Sequence, residues 1–145
     1  SSREDAVDAA LDLIDKNSLA YEAVEVGKKF VNQSASNLHD HYGDMSPVHS
    51  LNNLAVVVWA FLSFQDSFDE AIGETICCGW DTDCTGATVG GLIGLDKGSI
   101  PESWTDPWQG RVNTAIAGVG ELKLEDLVER TCKLVDQFSS ESDMD

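Results

Sequence analysis

The chain has 145 residues, a single-domain length with room for a buried core. Its 26 acidic against 9 basic residues give a formal net charge of −17, a field that repels nucleic acid and anionic lipid and so excludes both as expected partners. The longest apolar run, residues 54–64 with one serine in it, is too short to cross a bilayer, so no membrane span or anchor is expected.

The acids are spread along the chain, with Asp abundant and only six Lys. Concentrated salt is the simplest setting for such a balance: at 1 M the Debye length falls to about 3 Å and carboxylate self-repulsion largely disappears. A halophilic character is therefore expected, the alternative being an ordinary acidic cytosolic protein. Cys77, Cys78, Cys84 and Cys132 show neither C-x-x-C nor zinc-type spacing, which points to buried free thiols and a cytoplasmic setting.

Ser1 and Ser2 precede Glu4 and Asp5 at capping-box spacing, and Ala6, Val7, Ala10, Leu11 and Ile14 trace one apolar face of a first helix. Asn17-Ser18 opens a second helix, with Tyr21, Val24 and Val31 inward and Gly27 as its weak point. Residues 32–47 are polar and expected to be irregular. Residues 50–65 are apolar almost all round and are expected to form the buried central helix. Ser67-Phe68-Asp69-Glu70 is another capping box, opening a short helix to about residue 78. Gly86, Gly90 and Gly94 then recur on one helical stripe. Glycine costs about 1 kcal/mol in a helix interior, so the stripe implies close contact, expected here against the buried central helix. Gly98 and Pro101 stop that helix. Trp104 and Trp108 flank Pro107 and are expected to cover core, with a cleft wall as the alternative. No convincing strand pattern occurs, residues 112–117 being the one candidate for extended chain. A last amphipathic helix over residues 124–138, with Leu127, Val128, Leu134 and Val135 inward, completes a helical domain at 1–138, followed by an acidic, disordered end at 139–145.

The densest chemistry lies just before the glycine stripe, at Trp80-Asp81-Thr82-Asp83-Cys84. In extended or turn-like backbone residues i and i+2 point to one side, so Asp81 and Asp83 can converge on a hard cation. That geometry fails inside a regular helix, which places the pair on the loop ahead of it. The plain alternative is that one aspartate caps the helix by accepting from its free N–H groups.

The run from Gly79 through Trp80-Asp81-Thr82-Asp83-Cys84-Thr85-Gly86-Ala87-Thr88-Val89 to Gly90 resembles the C-terminal signature of the ADP-ribosylglycohydrolase family, the relatives of the dinitrogenase-reductase-activating glycohydrolase. The similarity extends upstream through Val48-His49-Ser50-Leu51-Asn52-Asn53 and downstream through Ile100-Pro101-Glu102-Ser103-Trp104. It implies an all-α orthogonal helical bundle, with this chain as the C-terminal portion of that fold. It also implies two magnesium ions, in whose field a water helps cleave the bond between ADP-ribose and its acceptor. Asp81 and Asp83 map onto ligands of those ions. Many members continue with a metal-binding threonine where this chain has Cys84, and a thiol is a poor ligand for magnesium. Thr85, one place on, or a water then takes that position. His49, Asn53, Trp80 and Cys84 are implied as substrate-binding residues.

The resemblance also brings out an absence. The family's N-terminal half carries a Thr-Asp-Asp metal triplet, and no such triplet occurs in this chain. The expected partners are therefore an ADP-ribosylated protein or a small ADP-ribose conjugate, together with the missing half or a second copy of this chain. No catalytic acid–base group stands out, since nothing separates Glu74 or Glu102 from ordinary surface acids. Two other readings stand beside the hydrolase: a non-catalytic helical module for binding or assembly, with the aspartates as caps, and a simple divalent-cation binder.

Three further features invite function. His39-Asp40-His41, with Asp44 near, offers donors for a transition metal but lacks a third fixed ligand, and a solvated loop is expected. His49 stands four before Asn53 on one helix face, with capping of its own helix as the alternative role. Arg111, one of three arginines, is expected in a surface ion pair rather than on a ligand phosphate.

Overall fold

In the computed structural model, which describes residues 2–142, helix follows helix: α1 (Arg3–Leu11), α2 (Leu19–Lys29), α3 (Ser36–Tyr42), α4 (Ser50–Ser63), α5 (Phe68–Cys77) and α6 (Thr82–Lys97). Then come α7 (Glu102–Thr105), a 3-10 turn at Asp106–Trp108, strands β1 (Arg111–Asn113) and β2 (Glu121–Lys123), and α8 (Leu124–Ser142). The all-α expectation holds, with one two-stranded sheet among the described residues. The chain divides into two units, Ser1–Ile100 and Pro101–Asp145.

In the first unit α4 is the axis, and α1, α2, α3, α5 and α6 all pack on it. Its residues Ala55, Val56, Trp59 and Ala60 are buried, as an all-round apolar helix requires. Trp59 keeps its indole N–H satisfied by donating to the Gln33 carbonyl at 3.2 Å. Gly27, a weak point by propensity, is where α2 meets α4 backbone to backbone. A Cβ there would lie 2.7 Å from the Ala55 carbonyl oxygen and 2.8 Å from Val58 Cβ. The capping signals are realised: Ser2 and Asp5 exchange both bonds of a capping box, and Ser67 Oγ accepts from Glu70 N–H at 3.2 Å.

Several expectations are corrected. The segment 32–47 is not irregular throughout, because Leu38, fully buried, anchors the short α3 within an otherwise polar stretch. On α1 the predicted apolar face buries only Leu11, while Ala6 and Ala10 are exposed. That helix is tied down instead by Arg3, buried, whose Nε donates to Asp96 Oδ2 at 2.9 Å and whose Nη1 donates to the Phe61 carbonyl at 2.7 Å. The planar guanidinium also lies 4.7 Å from the Phe61 ring centroid. The apolar residues of α1 face an open groove of about 500 Å³ with Leu54 and Val58 of α4 and Leu92 of α6.

The glycine stripe of α6 packs on α5, not on α4. A Cβ at Gly86 would meet Ile76 and one at Gly90 would meet Ile72, both residues of α5, while Gly94 faces Ile100. The buried Thr85, Val89 and Ile93, one position before each glycine, form a separate stripe on the same helix. Gly98 ends α6 in left-handed conformation at φ +70°, as expected.

In the second unit β1 and β2 pair antiparallel, with Val112 opposite Leu122. Only 112 and 113 of the predicted extended stretch lie in a strand. Trp104 and Trp108 are exposed rather than core-covering. On α8 the residues expected inward, Val128, Leu134 and Val135, are also exposed, and Leu127 is half-buried. A unit of this size with one small hairpin has too little surface of its own to cover the face of a 19-residue helix. The helix continues to Ser142, so residues 139–142 are helical where a disordered end was expected; 143–145 lie outside the described residues. All four cysteines are free, but only Cys78 is buried. No helix among the described residues is long and apolar enough to cross a membrane.

Candidate metal centre

The centre is built on the turn that joins α5 to α6. Gly79 and Trp80 both have positive φ, +81° and +60°, which reverses the chain between the helices. Glycine adopts this at no steric cost, whereas for tryptophan the left-handed region costs roughly 1–2 kcal/mol. The surroundings hold it there. The His39 ring lies on the Trp80 indole at 4.2 Å between centroids, and Tyr42 meets it edge-on at 6.1 Å. His39 Nε2–H donates to the Cys78 carbonyl at 2.7 Å, closing the same turn from behind. Burial raises the Tyr42 hydroxyl to about 12 and the Cys78 thiol to about 11, so both stay neutral around the turn.

Asp81 is the N-cap residue of α6, at φ −87° and ψ 71°, and its side chain makes no capping hydrogen bond. Its peptide groups are engaged instead. The N–H donates to Asn53 Oδ1 at 3.2 Å, and the carbonyl accepts from Thr85 N–H at 2.9 Å and Thr85 Oγ at 3.0 Å. Asp83 lies within the first turn of α6, not on the loop ahead of it. The pair still converges, because Asp81 departs from helical angles and its side chain can swing over that turn. Donor atoms of Asp81, Asp83 and Cys84 all lie within 4.8 Å of one another. The Cys84 thiol is raised above its usual pKa by its hydrogen-bonding interaction with Asp81, then by the Asp81 and Asp83 charges.

The other predicted residues divide. Thr85 is buried and its hydroxyl donates to the Asp81 carbonyl, which ties it to the same corner. Asn53, Cys84 and Thr85 share a shallow pocket of about 210 Å³ with Ser50 and Thr88. His49 caps α4, its Nδ1 accepting from Leu51 N–H at 3.2 Å, and takes no part in that pocket. Trp80 packs against the core as the keystone of the turn. Of the discounted features, His39-Asp40-His41 is helical rather than a solvated loop, and His39 supports Trp80. Arg111 forms the surface pair expected of it, with Glu121 at 2.7 Å.

Two converging carboxylates suit a hard dication, which accepts one or two protein carboxylates and fills its remaining positions with water or phosphate oxygens. The thiol adds little for magnesium, being soft, and in this arrangement interacts with Asp81 by hydrogen bonding. The role of His39 was missed because its partners, Cys78 and Trp80, lie some 40 residues on, with a separation of 39 to Cys78. The link from Asn53 to the Asp81 backbone left no signal beyond the residue itself.

A family model described as ADP-ribosylglycohydrolase matches residues 1–142. The chain belongs to the ADP-ribosylglycohydrolase family. Membership makes it a hydrolase-type chain of that family and fits its helical scaffold. No curated protein and no solved structure matches this ADP-ribosylglycohydrolase chain.

Proposed function

We propose that the chain acts in magnesium-dependent hydrolysis of the glycosidic bond between ADP-ribose and an acceptor, either a modified protein or a small conjugate, in the cytoplasm. Asp81 and Asp83 would hold the metal, of which the family resemblance implies two ions. The observation that carries this reading is the Asp81 carboxylate: it sits at a helix N-cap, declines to cap, and converges instead with Asp83. A bound dication supplies Lewis acidity and a site at which a water is oriented and acidified. A dication held by Asp81 and Asp83 would also offset their repulsion of a pyrophosphate. Cys84, its thiol raised by the neighbouring Asp81, lines the shallow pocket beside the pair. Cleavage further calls for an acid–base group. A further segment of the fold or a second copy of the chain would supply it, so this chain alone should bind metal weakly and turn over little.

Magnesium titration by calorimetry, with release of ADP-ribose from a modified substrate as the second readout, tests the proposal. Uptake by the wild type that disappears in Asp83→Ala is the expected result. Absence of uptake by the wild type would remove the metal reading. A second reading, a non-catalytic module for binding or assembly, is favoured by the open apolar groove along α1, α4 and α6. It predicts no magnesium uptake and an Asp81→Ala variant of unchanged partner binding.

A further inference from the structure

Asp81 and Asp83 are two positions apart, and on a regular helix such residues diverge by about 160°. Their convergence therefore depends on Asp81 staying out of helical conformation. The residue that fixes Asp81 from outside its own helix is Asn53, 28 positions earlier on α4. Its Nδ2 donates to the Pro47 and His49 carbonyls, both at 2.8 Å, and its Oδ1 accepts from the Asp81 N–H at 3.2 Å. Two carbonyls on one side and one N–H on the other leave the amide a single favourable orientation, since a flip would set Oδ1 against both carbonyl oxygens. Next to it, Asn52 is fully buried and donates to the Ser46 carbonyl at 3.2 Å, while its Oδ1 accepts from the Asn53 N–H at 3.0 Å. The entry to α4 is thus a rigid polar clamp, and Asn53 is the part of it that reaches the metal corner.

We infer that Asn53 is a positioning residue of the metal centre. It holds the Asp81 peptide outside the helix and so aims that carboxylate at Asp83. Asn53 needs to touch neither metal nor substrate to do this. The inference rests on the reading of the corner as a metal site and adds the group that preorganises it. A supporting residue of this kind governs metal affinity about 10–100-fold when removed.

The test uses manganese, which favours the same oxygen donors as magnesium and is read by its paramagnetic resonance signal. Wild type, Asn53→Ala and Thr75→Val are titrated at a temperature where circular dichroism shows all three folded. Thr75 is buried on α5 and its Oγ donates to the Ala71 carbonyl at 2.6 Å, so its variant loses stability without touching the corner. The expected result is Mn2+ affinity weakened about 10–100-fold in Asn53→Ala and unchanged in Thr75→Val. Wild-type affinity in Asn53→Ala would overturn the role of Asn53 while leaving the metal site standing; a wild type that takes up no Mn2+ would remove the site itself. If Asn53→Ala does not fold, Asn53→Ser, polar but too short to reach Asp81, takes its place. Hydrogen exchange of the metal-free wild type gives an independent reading. The Asp81 amide should be protected before any metal is added, and rapid exchange there would also overturn the inference.

Discussion

Asp81 shows how one residue separates backbone and side-chain duties. Its peptide groups are committed to Asn53 and Thr85, which frees its carboxylate for Asp83 and Cys84. The thiol of Cys84 records that arrangement. Held protonated by the Asp81 hydrogen bond and by two neighbouring negative charges, it should alkylate slowly at mildly alkaline pH. Asp81→Asn removes a charge and the best acceptor, so the thiolate fraction rises and iodoacetamide labelling of Cys84 should accelerate, as followed by peptide mass spectrometry. Labelling that is unchanged or slower in Asp81→Asn would contradict the described contact. Cys78, buried and raised to about 11, should remain unlabelled until the chain unfolds.

Among the helices, two interior glycines have opposite roles. Gly27 lies where α2 crosses α4, with the Ala55 carbonyl oxygen 2.7 Å from where a Cβ would stand. Backbone cannot give way as a side chain can, so Gly27→Ala should destabilise by about 1–3 kcal/mol. Gly91 lies inside α6 with nothing within 4 Å of its would-be Cβ. There alanine removes unfolded-state freedom at no steric cost, and Gly91→Ala should stabilise by about 0.5–1 kcal/mol. Urea denaturation of both variants checks the pair, and equal shifts of the midpoint would refute the distinction. Sequence showed the capping box at Ser2, the side-chain cap at Ser67 and the stop at Gly98, because caps are contacts between residues three or four apart. It did not show α3, in which Leu38 is the one fully buried side chain, nor which neighbour the Gly86-Gly90-Gly94 stripe would meet.

For the whole molecule, the net charge of −17 is the controlling quantity. Mutual repulsion of carboxylates opposes the compact state at low ionic strength and is screened as salt rises. The thermal midpoint should therefore increase between low and molar KCl, measured by circular dichroism. A midpoint independent of salt, or falling with it, would remove the halophilic expectation. Apolar surface is the second quantity at this scale. The groove along α1 and the exposed Val128, Leu134 and Val135 of α8 are each amphipathic patterns that sequence identified correctly as apolar. Both were expected to be buried, because periodicity reports that a face is apolar and carries no information on whether a neighbour covers it.

By itself the sequence determined the helical class, the capped starts at Ser2 and Ser67, the stop at Gly98 and the identity of the acidic pair, since propensity, capping and charge act over a few residues. Tertiary structure decided what those residues do. It set the Asp81 carboxylate free of its cap, brought Asn53 from 28 positions away to hold the Asp81 peptide, and placed His39 behind Trp80. Each is a contact between segments whose meeting depends on how α3, α4 and the α5–α6 turn pack, and packing is fixed by the shape of the whole core rather than by any local pattern.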